Sequence, residues 1–424
     1  MSLALVRPLP PAGSFDFRGV LREGDTIAWP QAIGEPLGLT RRLLAQRDEL
    51  PPLRLFLGMS MSDTPSAVLA GGFVVSALNG AGTNRRLSGM SDILPVHVST
   101  VPALIRGRRI PVDVVLIRAR PLPDGRLTLG VIADYTAALL SAARCVIAEL
   151  DERLPCTGGD AAIPAAAVHH LVAADGPEIL MPDPEPSAQE AAVASQVASV
   201  IPDGATVQLG VGGLPVAVAR ALSGHRDLGL HSGVVPDAVV ELIRRGVVTN
   251  ARKGLDAGLT VTGGLFGSRT LLDHADGNPA VVLRSVEHTH AAAVMARLHA
   301  LHAVNSAIEV DLTGQANAEI AGGRYLGAVG GQADFVRGAP LSPGGRAIIA
   351  LPSTTPDGQT SRIVADLRGR PVTTARADMD LVVTEYGVAD LRGQGLAERA
   401  RRLAAIAHPD FRAALRVAPQ GNAR

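Results

Sequence analysis

Two short segments, 210–214 and 231–233, carry the residue types best suited to bind and transform a ligand. The first is rich in glycine, which lets a backbone turn sharply and approach a ligand closely. Pro215 opens a helix directly after it, and the free N–H groups at a helix N-terminus attract phosphate. The sequence therefore predicts an anion-binding turn made by five residues: Gly210, Val211, Gly212, Gly213 and Leu214.

A strand, turn, helix and second strand over residues 204–237 must position both segments. Residues 205–209 alternate in polarity and include β-branched side chains, which is typical of a strand. The helix ends at residues 223–224, where glycine suits a left-handed stop. Residues 227–231 predict the second strand. Gly233 would then lie at the carboxyl edge of a sheet, the edge at which open α/β sheets bind their ligands.

The rest of the chain predicts two α/β halves with mainly parallel sheets, because apolar strands alternate with helices. Residues 24–36 resemble residues 204–215 in leading from a glycine and a strand to a proline-led helix, by internal relationship or by coincidence. Residues 175–186, rich in proline and acids, predict the linker. The predicted strands are 53–59, 112–119, 145–150, 259–262, 280–283, 304–310, 346–351 and 381–384, and the main predicted helices are 135–143, 187–200 and 397–407.

Composition excludes several classes of partner. The 424 residues are 47% hydrophobic, so the chain can bury more than one core. Forty basic and 40 acidic residues leave no net field for nucleic acid or membrane, and 3% aromatic content offers few base-stacking surfaces.

Cys145 and Cys156 are too few for a disulfide framework and fit a reducing cytoplasm. Residues 1–15 have too short an apolar run for a secretory signal, and no stretch reaches membrane-spanning length.

Several long motifs resemble those of one enzyme family. They are QLGVGGLP at 208–215, NSAIEVDLTGQAN at 305–317, GAVGGQADFVRGA at 327–339, LPSTTPDGQTSRIV at 351–364, VVTEYGVADLRG at 382–393 and AHPDFR at 407–412. The first half matches more loosely, through GDTIAWPQAIGEPLGL at 24–39. On these motifs the chain resembles the acetyl-CoA hydrolase/transferase family, which includes 4-hydroxybutyrate and butyrate:acetate CoA-transferases. The resemblance covers nearly the whole chain.

The resemblance implies two tandem, related CoA-transferase-type α/β domains, residues 1–186 and 187–424, with acyl-CoA bound in the cleft between them. It implies that a glutamate attacks the thioester to give an acyl-glutamyl anhydride, and that CoA then forms a glutamyl thioester. Gly330 would contact CoA, Gly331 would supply an oxyanion donor, and Glu385 would face the cleft. The alternative for Glu385 is a carboxylate that hydrogen-bonds its own loop.

The resemblance also implies the partners. They are a small-molecule acyl-CoA and a carboxylate, with coenzyme A as substrate rather than as a covalently bound cofactor. No nucleic acid and no membrane are expected, and the family pattern favours a cytoplasmic homodimer.

The chain departs from the family pattern at three active-site positions. Where the pattern H-[ST]-E has its nucleophile, this chain has His231, Ser232 and Gly233. The asparagine expected in SVEHTHA falls at His290, and the lysine expected in STxKxG falls at Pro356. Both positions belong to the expected CoA site. Glycine has no side-chain charge or lone pair, so the expected covalent step lacks its carboxylate.

Three alternatives to that carboxylate stay open. Another side chain could attack: Ser232 activated by His231, although neighbouring strand residues point to opposite faces, or Asp237, or Glu287. Water could attack a bound thioester directly. Alternatively, the protein is a catalytically silent homologue that binds CoA or acyl-CoA.

Three weaker patterns have plainer interpretations. Four histidines have a spacing that could bind zinc, namely His288, His290, His299 and His302. No acidic or cysteine ligand completes that set, and we expect no metal site. The turn 210–213 resembles a dinucleotide fingerprint, but Pro215 stands at its third glycine position. Glu309 and Asp311 share a strand face as an acid and base would, although turn hydrogen bonds are the favoured use.

Overall fold

The computed structural model describes residues 8–417, which form two compact units. The first contains the described residues up to Pro182, together with Val261–Thr289 and Arg324–Gly330. The second contains Asp183–Thr260, His290–Gly323 and the described residues from Gly331 onward. The predicted α/β fold with mainly parallel sheets is confirmed. The predicted domain division after residue 186 stays a prediction.

A parallel sheet organises the first unit. Its strands are β1 Thr26–Ala28, β2 Arg54–Leu57, β3 Val74–Ala77, β4 Asp92–Ile93, β5 Val114–Pro121, β6 Cys145–Leu150 and β7 His170–Ala173. They lie in the order β7-β6-β5-β1-β2-β3-β4, and every neighbouring pair is parallel. The first six residues of β5 are all buried, as a strand covered on both faces requires.

A second mainly parallel sheet organises the second unit. Six strands of this sheet lie in the unit, namely β8 Thr206–Gln208, β9 Gly229–Val235, β10 Leu301–Ser306, β11 Arg346–Ala350, β12 Leu381–Thr384 and β13 Gly387–Asp390. They lie in the order β13-β12-β11-β10-β8-β9, and only β12 and β13 are antiparallel. The chain runs outward from β8 to β9 and then returns to the other side of β8 for β10. This reversal creates a topological switch point, where α/β sheets bind ligands.

Helices connect and cover the strands. They are α1 Leu37–Ala45, α2 Thr64–Ala70, α3 Val101–Arg106, α4 Thr136–Ala142, α5 Ala188–Ala198, α6 Gly213–Ala221, α7 Ala238–Arg244, α8 Arg269–Ala275, α9 Val286–Thr289, α10 Ala292–Met295, α11 Gln332–Gly338, α12 Leu396–Ala405 and α13 Pro409–Val417. The shorter or peripheral strands are Leu127–Thr128, Gly158–Gly159, Ala162–Ile163, Thr260–Leu265, Val281–Leu283, Glu309–Asp311, Ala316–Asn317, Ile320–Ala321, Arg324–Tyr325 and Ile363–Val364.

Two predicted details around the glycine turn are wrong, namely Pro215 as the first helical residue and a left-handed stop at Gly224. Helix α6 begins at Gly213, so Pro215 lies inside the first turn, where a missing N–H costs nothing. Gly224 is absent from the positions with positive φ; the helix instead tightens into a 3₁₀ turn, Leu222–Gly224, closed by a bond from the His225 N–H to the Leu222 carbonyl.

Two predicted strands also differ. Residues 304–310 form parts of two strands, β10 and Glu309–Asp311, because the second pairs with a separate small sheet. Strand β9 starts two residues later than expected, after Asp227 has adopted a left-handed φ of 55°. Gly233 therefore lies inside β9 and not beyond its end.

Among the helices of the described residues, none is long and apolar enough to cross a membrane. The expectation about a secretory signal falls partly on residues 1–7, which lie outside the described residues.

Candidate active site

A cleft of about 600 Å³ opens in the second unit where β8, β10 and β11 end. Residues 211–215 line it after β8, Ser306 and Ala307 after β10, and residues 350–352 after β11. These strands flank the switch point, so the sheet topology alone accounts for the position of the cleft. Its volume is within the range of small-molecule binding sites.

The glycine turn forms one wall of this cleft. Gly212 has φ 110° and ψ −177°, a region that a side chain with a Cβ rarely adopts. This conformation lets the chain leave β8 and start α6 within a few residues. Four of the five predicted turn residues, 211–214, line the cleft, whereas Gly210 does not.

Glu190 adds a negative charge to the same wall. Its carboxylate accepts hydrogen bonds from the backbone N–H and the hydroxyl of Ser187 at 2.8 and 2.9 Å. The Glu190 N–H donates in return to the Ser187 hydroxyl at 3.2 Å, and the two N–H bonds form the capping box of α5. A Cβ on Gly213 would lie 2.5 Å from a carboxylate oxygen of Glu190. The start of α6 is thus close to a resident anion, and an anionic ligand must find its counter-charge elsewhere in the cleft.

Arg362 is a positively charged residue of the same cleft. It lines the cleft and is half-buried, yet among the described residues its guanidinium forms no hydrogen bond or ion pair. Burial lowers the pKa of Arg362, and the carboxylates of Glu190 and Glu385 partly offset the change. Arginine remains charged in any case, so a half-desolvated cation faces the cleft. Sequence reasoning missed this residue, although it lies in the TSRIV segment of a quoted motif.

Glu385 lies one hydrogen bond behind the cleft wall, in the hairpin between β12 and β13. Its carboxylate accepts bonds from the N–H and the hydroxyl of Ser353 at 2.9 and 2.7 Å, and from Nε2 of Gln189 at 2.7 Å. Gln189 lines the cleft, but Glu385 does not. Its carboxylate therefore holds a neighbouring loop, and its catalytic role stays a prediction.

The sequence matches two models of a known family, which together cover more than half of the chain. Residues 16–182 match the acetyl-CoA hydrolase/transferase N-terminal domain, and residues 267–418 match the C-terminal domain. The 4-hydroxybutyrate coenzyme A transferase of Clostridium kluyveri is 38% identical over 92% of this chain and 92% of its own length. The chain belongs to the acetyl-CoA hydrolase/transferase family.

Other family members agree in sequence and structure. The succinyl-CoA:cyclohexane-1-carboxylate CoA transferase of Geobacter metallireducens is 33% identical over 93% of this chain and 92% of its own length. RipA from Yersinia pestis superimposes with a TM-score of 0.88 at 32% identity, covering 94% of both chains. A 4-hydroxybutyrate CoA-transferase from Porphyromonas gingivalis gives a TM-score of 0.81 at 34% identity, also covering 94% of both.

Two of the three departures from the family pattern are in contact. A Cβ on Gly233 would lie 2.8 Å from Cε1 of His290, whose ring also packs edge-on against Phe335 with centroids 4.7 Å apart. Burial lowers the pKa of His290 to about 3, so its ring is neutral at physiological pH. The third departure, Pro356, lines the cleft.

The two glycines of the predicted oxyanion loop have different local roles. Gly330 has a φ of 56° and belongs to the first unit, where its carbonyl accepts a bond from the Val98 N–H at 2.9 Å. Gly331 belongs to the second unit and is the N-cap of α11. Their predicted contact with a ligand stays a prediction.

Two of the three substitute nucleophiles predicted from the sequence, Ser232 and Glu287, are engaged in other side-chain contacts. The Ser232 hydroxyl is fully buried and bonds both to the carbonyl and to the N–H of Leu209, at 2.7 and 3.3 Å. Glu287 pairs with Arg106 within the first unit. Asp237 is the N-cap residue of α7. A role for Ser232 or Glu287 as nucleophile would first require these contacts to break.

Three residues of the weaker patterns, Glu309, Asp311 and His302, make local hydrogen-bonding contacts. Asp311 accepts bonds from the N–H groups of Thr313 and Gln315 at 2.9 and 3.0 Å, and Glu309 accepts from Asn317 at 2.7 Å. These are the turn hydrogen bonds that the sequence favoured. Nδ1 of buried His302 lies 2.8 Å from the Ala300 carbonyl, within its own strand region.

Proposed function

We propose that this protein binds acyl-CoA in the cleft of its second unit and processes the thioester, by CoA transfer to a carboxylate or by hydrolysis. The observation that carries the proposal is the cleft at the switch point, with a glycine turn on one wall and an unpaired Arg362 on another. Coenzyme A combines phosphates with a long, weakly polar pantetheine arm. A cation in a largely apolar cleft suits both parts.

Arg362 also offers a reason why binding would survive the change at Pro356. The family pattern has a lysine where this chain has proline, and proline carries no charge. Arg362 and Pro356 line the same cleft, so a cation is still present. A guanidinium is well suited to phosphate because it offers several donors in a fixed plane.

The chemistry that follows binding differs from the family route. Gly233 has no carboxylate, so the expected glutamyl anhydride cannot form there. Water attacking the bound thioester would yield a free carboxylate and CoA without an acceptor. CoA transfer to a carboxylate would need a second group to carry the CoA or the acyl unit.

A catalytically silent CoA or acyl-CoA binder is the second candidate. The observation that favours it is the engagement of Glu385, whose carboxylate already accepts three hydrogen bonds. With Gly233 at the nucleophile position, a persistent pocket without turnover would result.

We further propose that the protein acts as a cytoplasmic homodimer on small molecules, with neither nucleic acid nor membrane as partner. The family membership and the balance of 40 basic and 40 acidic residues support this. Sedimentation equilibrium of the purified protein tests the dimer.

Two measurements test the main proposal. Isothermal titration with acetyl-CoA and with CoA measures binding, and a thiol assay with and without acetate, succinate or butyrate measures CoA release. Saturable binding with release supports acyl-CoA processing, and an acceptor requirement identifies transfer. Binding without release supports the silent binder, and failure of both ligands to bind contradicts both candidates.

A further inference from the structure

Gly233 and His290 are neighbours in the second unit, and the imidazole of His290 leaves no room for a side chain at position 233. A Cβ on Gly233 would lie 2.8 Å from Cε1 of His290, closer than real Cβ atoms approach other heavy atoms, and a tight 3.0 Å from Nε2. The same Cβ would contact Cε2 of Phe335 at 3.8 Å, an ordinary distance. The clash is therefore with the imidazole alone.

The imidazole is held in place. Its ring is 8% exposed and packs against the buried ring of Phe335, with an interplanar angle of 60°. Phe335 belongs to α11 and forms a small core with Met295, Leu298 and Leu301. A movement of the ring away from Gly233 would disturb this packing, and dense interiors resist such shifts.

We propose that Gly233 and His290 are one coupled pair, and that the pair decides whether position 233 can hold a carboxylate that forms a covalent enzyme–CoA intermediate. The imidazole fills the volume that a side chain at position 233 needs. A carboxylate can therefore return to position 233 only if the residue at 290 becomes smaller as well. The catalytic part of this inference rests on the proposed function, whereas the steric part does not.

The covalent step that the pair controls needs no reactant besides acyl-CoA. In the variant G233E/H290N, the introduced carboxylate attacks the acyl carbon, the C–S bond breaks and CoA leaves as the thiolate. The thiolate then attacks the side-chain carbonyl of the anhydride, and the carboxylate product leaves. The net result is an enzyme-bound CoA thioester and a free carboxylate. Asparagine is chosen at 290 because the family pattern has it there and it is smaller than histidine.

A stability cycle tests the steric coupling without CoA. The melting temperature is measured for wild type, G233A, H290A and G233A/H290A. We expect G233A to lower the melting temperature by a few degrees in the wild-type background and to have little effect in the H290A background. G224A is the matched control, because Gly224 is in the same unit and a Cβ there meets nothing within 4 Å. An equal loss for G233A in both backgrounds would overturn the coupling.

Intact-mass spectrometry after incubation with acetyl-CoA tests the catalytic consequence. We expect a mass increase by one CoA thioester in G233E/H290N and none in wild type, H290N or G233E. An adduct in G233E alone would overturn the proposal, because histidine would then not block the carboxylate. Titration with CoA separates a failure of binding from a failure of the covalent step. If the double variant binds CoA but forms no adduct, the Gly233–His290 pair does not decide whether the covalent intermediate forms. Failure of wild type to bind CoA defeats the proposed function, and the stability cycle still decides the coupling.

Discussion

Nε2 of Gln189 lies 2.7 Å from the carboxylate of Glu385 and 3.3 Å from Oγ1 of Thr354. Gln189 and Thr354 line the cleft, whereas Glu385 lies behind it. The carboxylate also holds Ser353 through two bonds, so one group fixes the segment that follows β11 to the start of α5. The shape of the cleft wall therefore depends on Glu385, which does not line the cleft.

Replacing Glu385 by alanine should destabilise the second unit and loosen this wall. Three acceptor contacts are lost, and we expect the free energy of unfolding to fall by about 1–3 kcal/mol. Affinity for CoA should fall as well, because the segment after β11 is no longer positioned. Chemical denaturation and titration with CoA measure the two effects.

The variant E385Q is the matched control, because an amide keeps the shape and part of the bonding. It should retain most of the stability. If E385A left both stability and CoA affinity unchanged, the proposed support of the cleft wall would be wrong.

Replacing Arg362 by glutamine should weaken CoA binding by about tenfold or more, because a charge-assisted bond to phosphate is lost. The wild-type affinity should also depend more steeply on salt concentration than that of R362Q. Titrations with CoA at two salt concentrations measure both quantities.

The control for that series is R401Q, because Arg401 is a surface residue paired with Glu398 on α12. It should bind CoA like wild type. Equal affinities of wild type and R362Q would remove Arg362 from the proposed site.

Replacing Gly212 by alanine should strain the turn without creating a clash. A Cβ at 212 meets nothing within 4 Å, yet the φ of 110° is a region that other residues rarely adopt, at a cost of about 1–3 kcal/mol. The free energy of unfolding should fall by this amount, and CoA binding should weaken if the turn rearranges.

The neighbouring variant G210A tests whether the loss of stability comes from the backbone conformation at Gly212 or from replacing any glycine of the turn. Gly210 has no positive φ, and a Cβ there would touch only Pro215, at 3.6 Å. It should be close to neutral. Equal losses for G212A and G210A would show that the backbone conformation at 212 is not the cause.

Glu149 should make the first unit less stable as pH rises. Burial raises the pKa of Glu149 from 4.5 to about 7, although bonding from the Leu39 N–H and the charge of Arg118 lower it in part. The folded state holds this proton when the unfolded state has lost it, so its stabilising contribution is complete below pH 4.5 and is lost as pH rises towards 7. The loss amounts to about 3 kcal/mol.

The variant E149Q should remove this pH dependence, because the amide is neutral throughout. Denaturation between pH 4.5 and 7.5 should show E149Q gaining stability relative to wild type as pH rises. E152Q is the control, since Glu152 is exposed, and it should follow the wild-type curve. Parallel curves for E149Q and wild type would contradict the assignment.

Sequence reasoning located most elements because buried parallel strands are continuous apolar runs and their ends are marked by glycine and proline. The strand predicted at residues 145–150 coincides with β6, and the strand at 381–384 coincides with β12. The strand predicted at residues 304–310 is wrong, because the apolar run there continues from one sheet into another. Periodicity records burial and cannot tell which strand is the partner.

The sequence by itself determined the family, the glycine turn after β8 and the absence of a carboxylate at Gly233, because each depends on residue type in a local motif. Tertiary structure alone decided that Arg362 stands unpaired in the cleft, that Glu385 supports the cleft wall from behind and that His290 lies against Gly233. The contacts of Glu385 join residues 32 and 196 positions apart along the chain, and only the packing of strands and helices brings such residues together. Two of the three departures from the family pattern, Gly233 and His290, are therefore in contact. A side chain at position 233 would need the volume that the His290 ring fills.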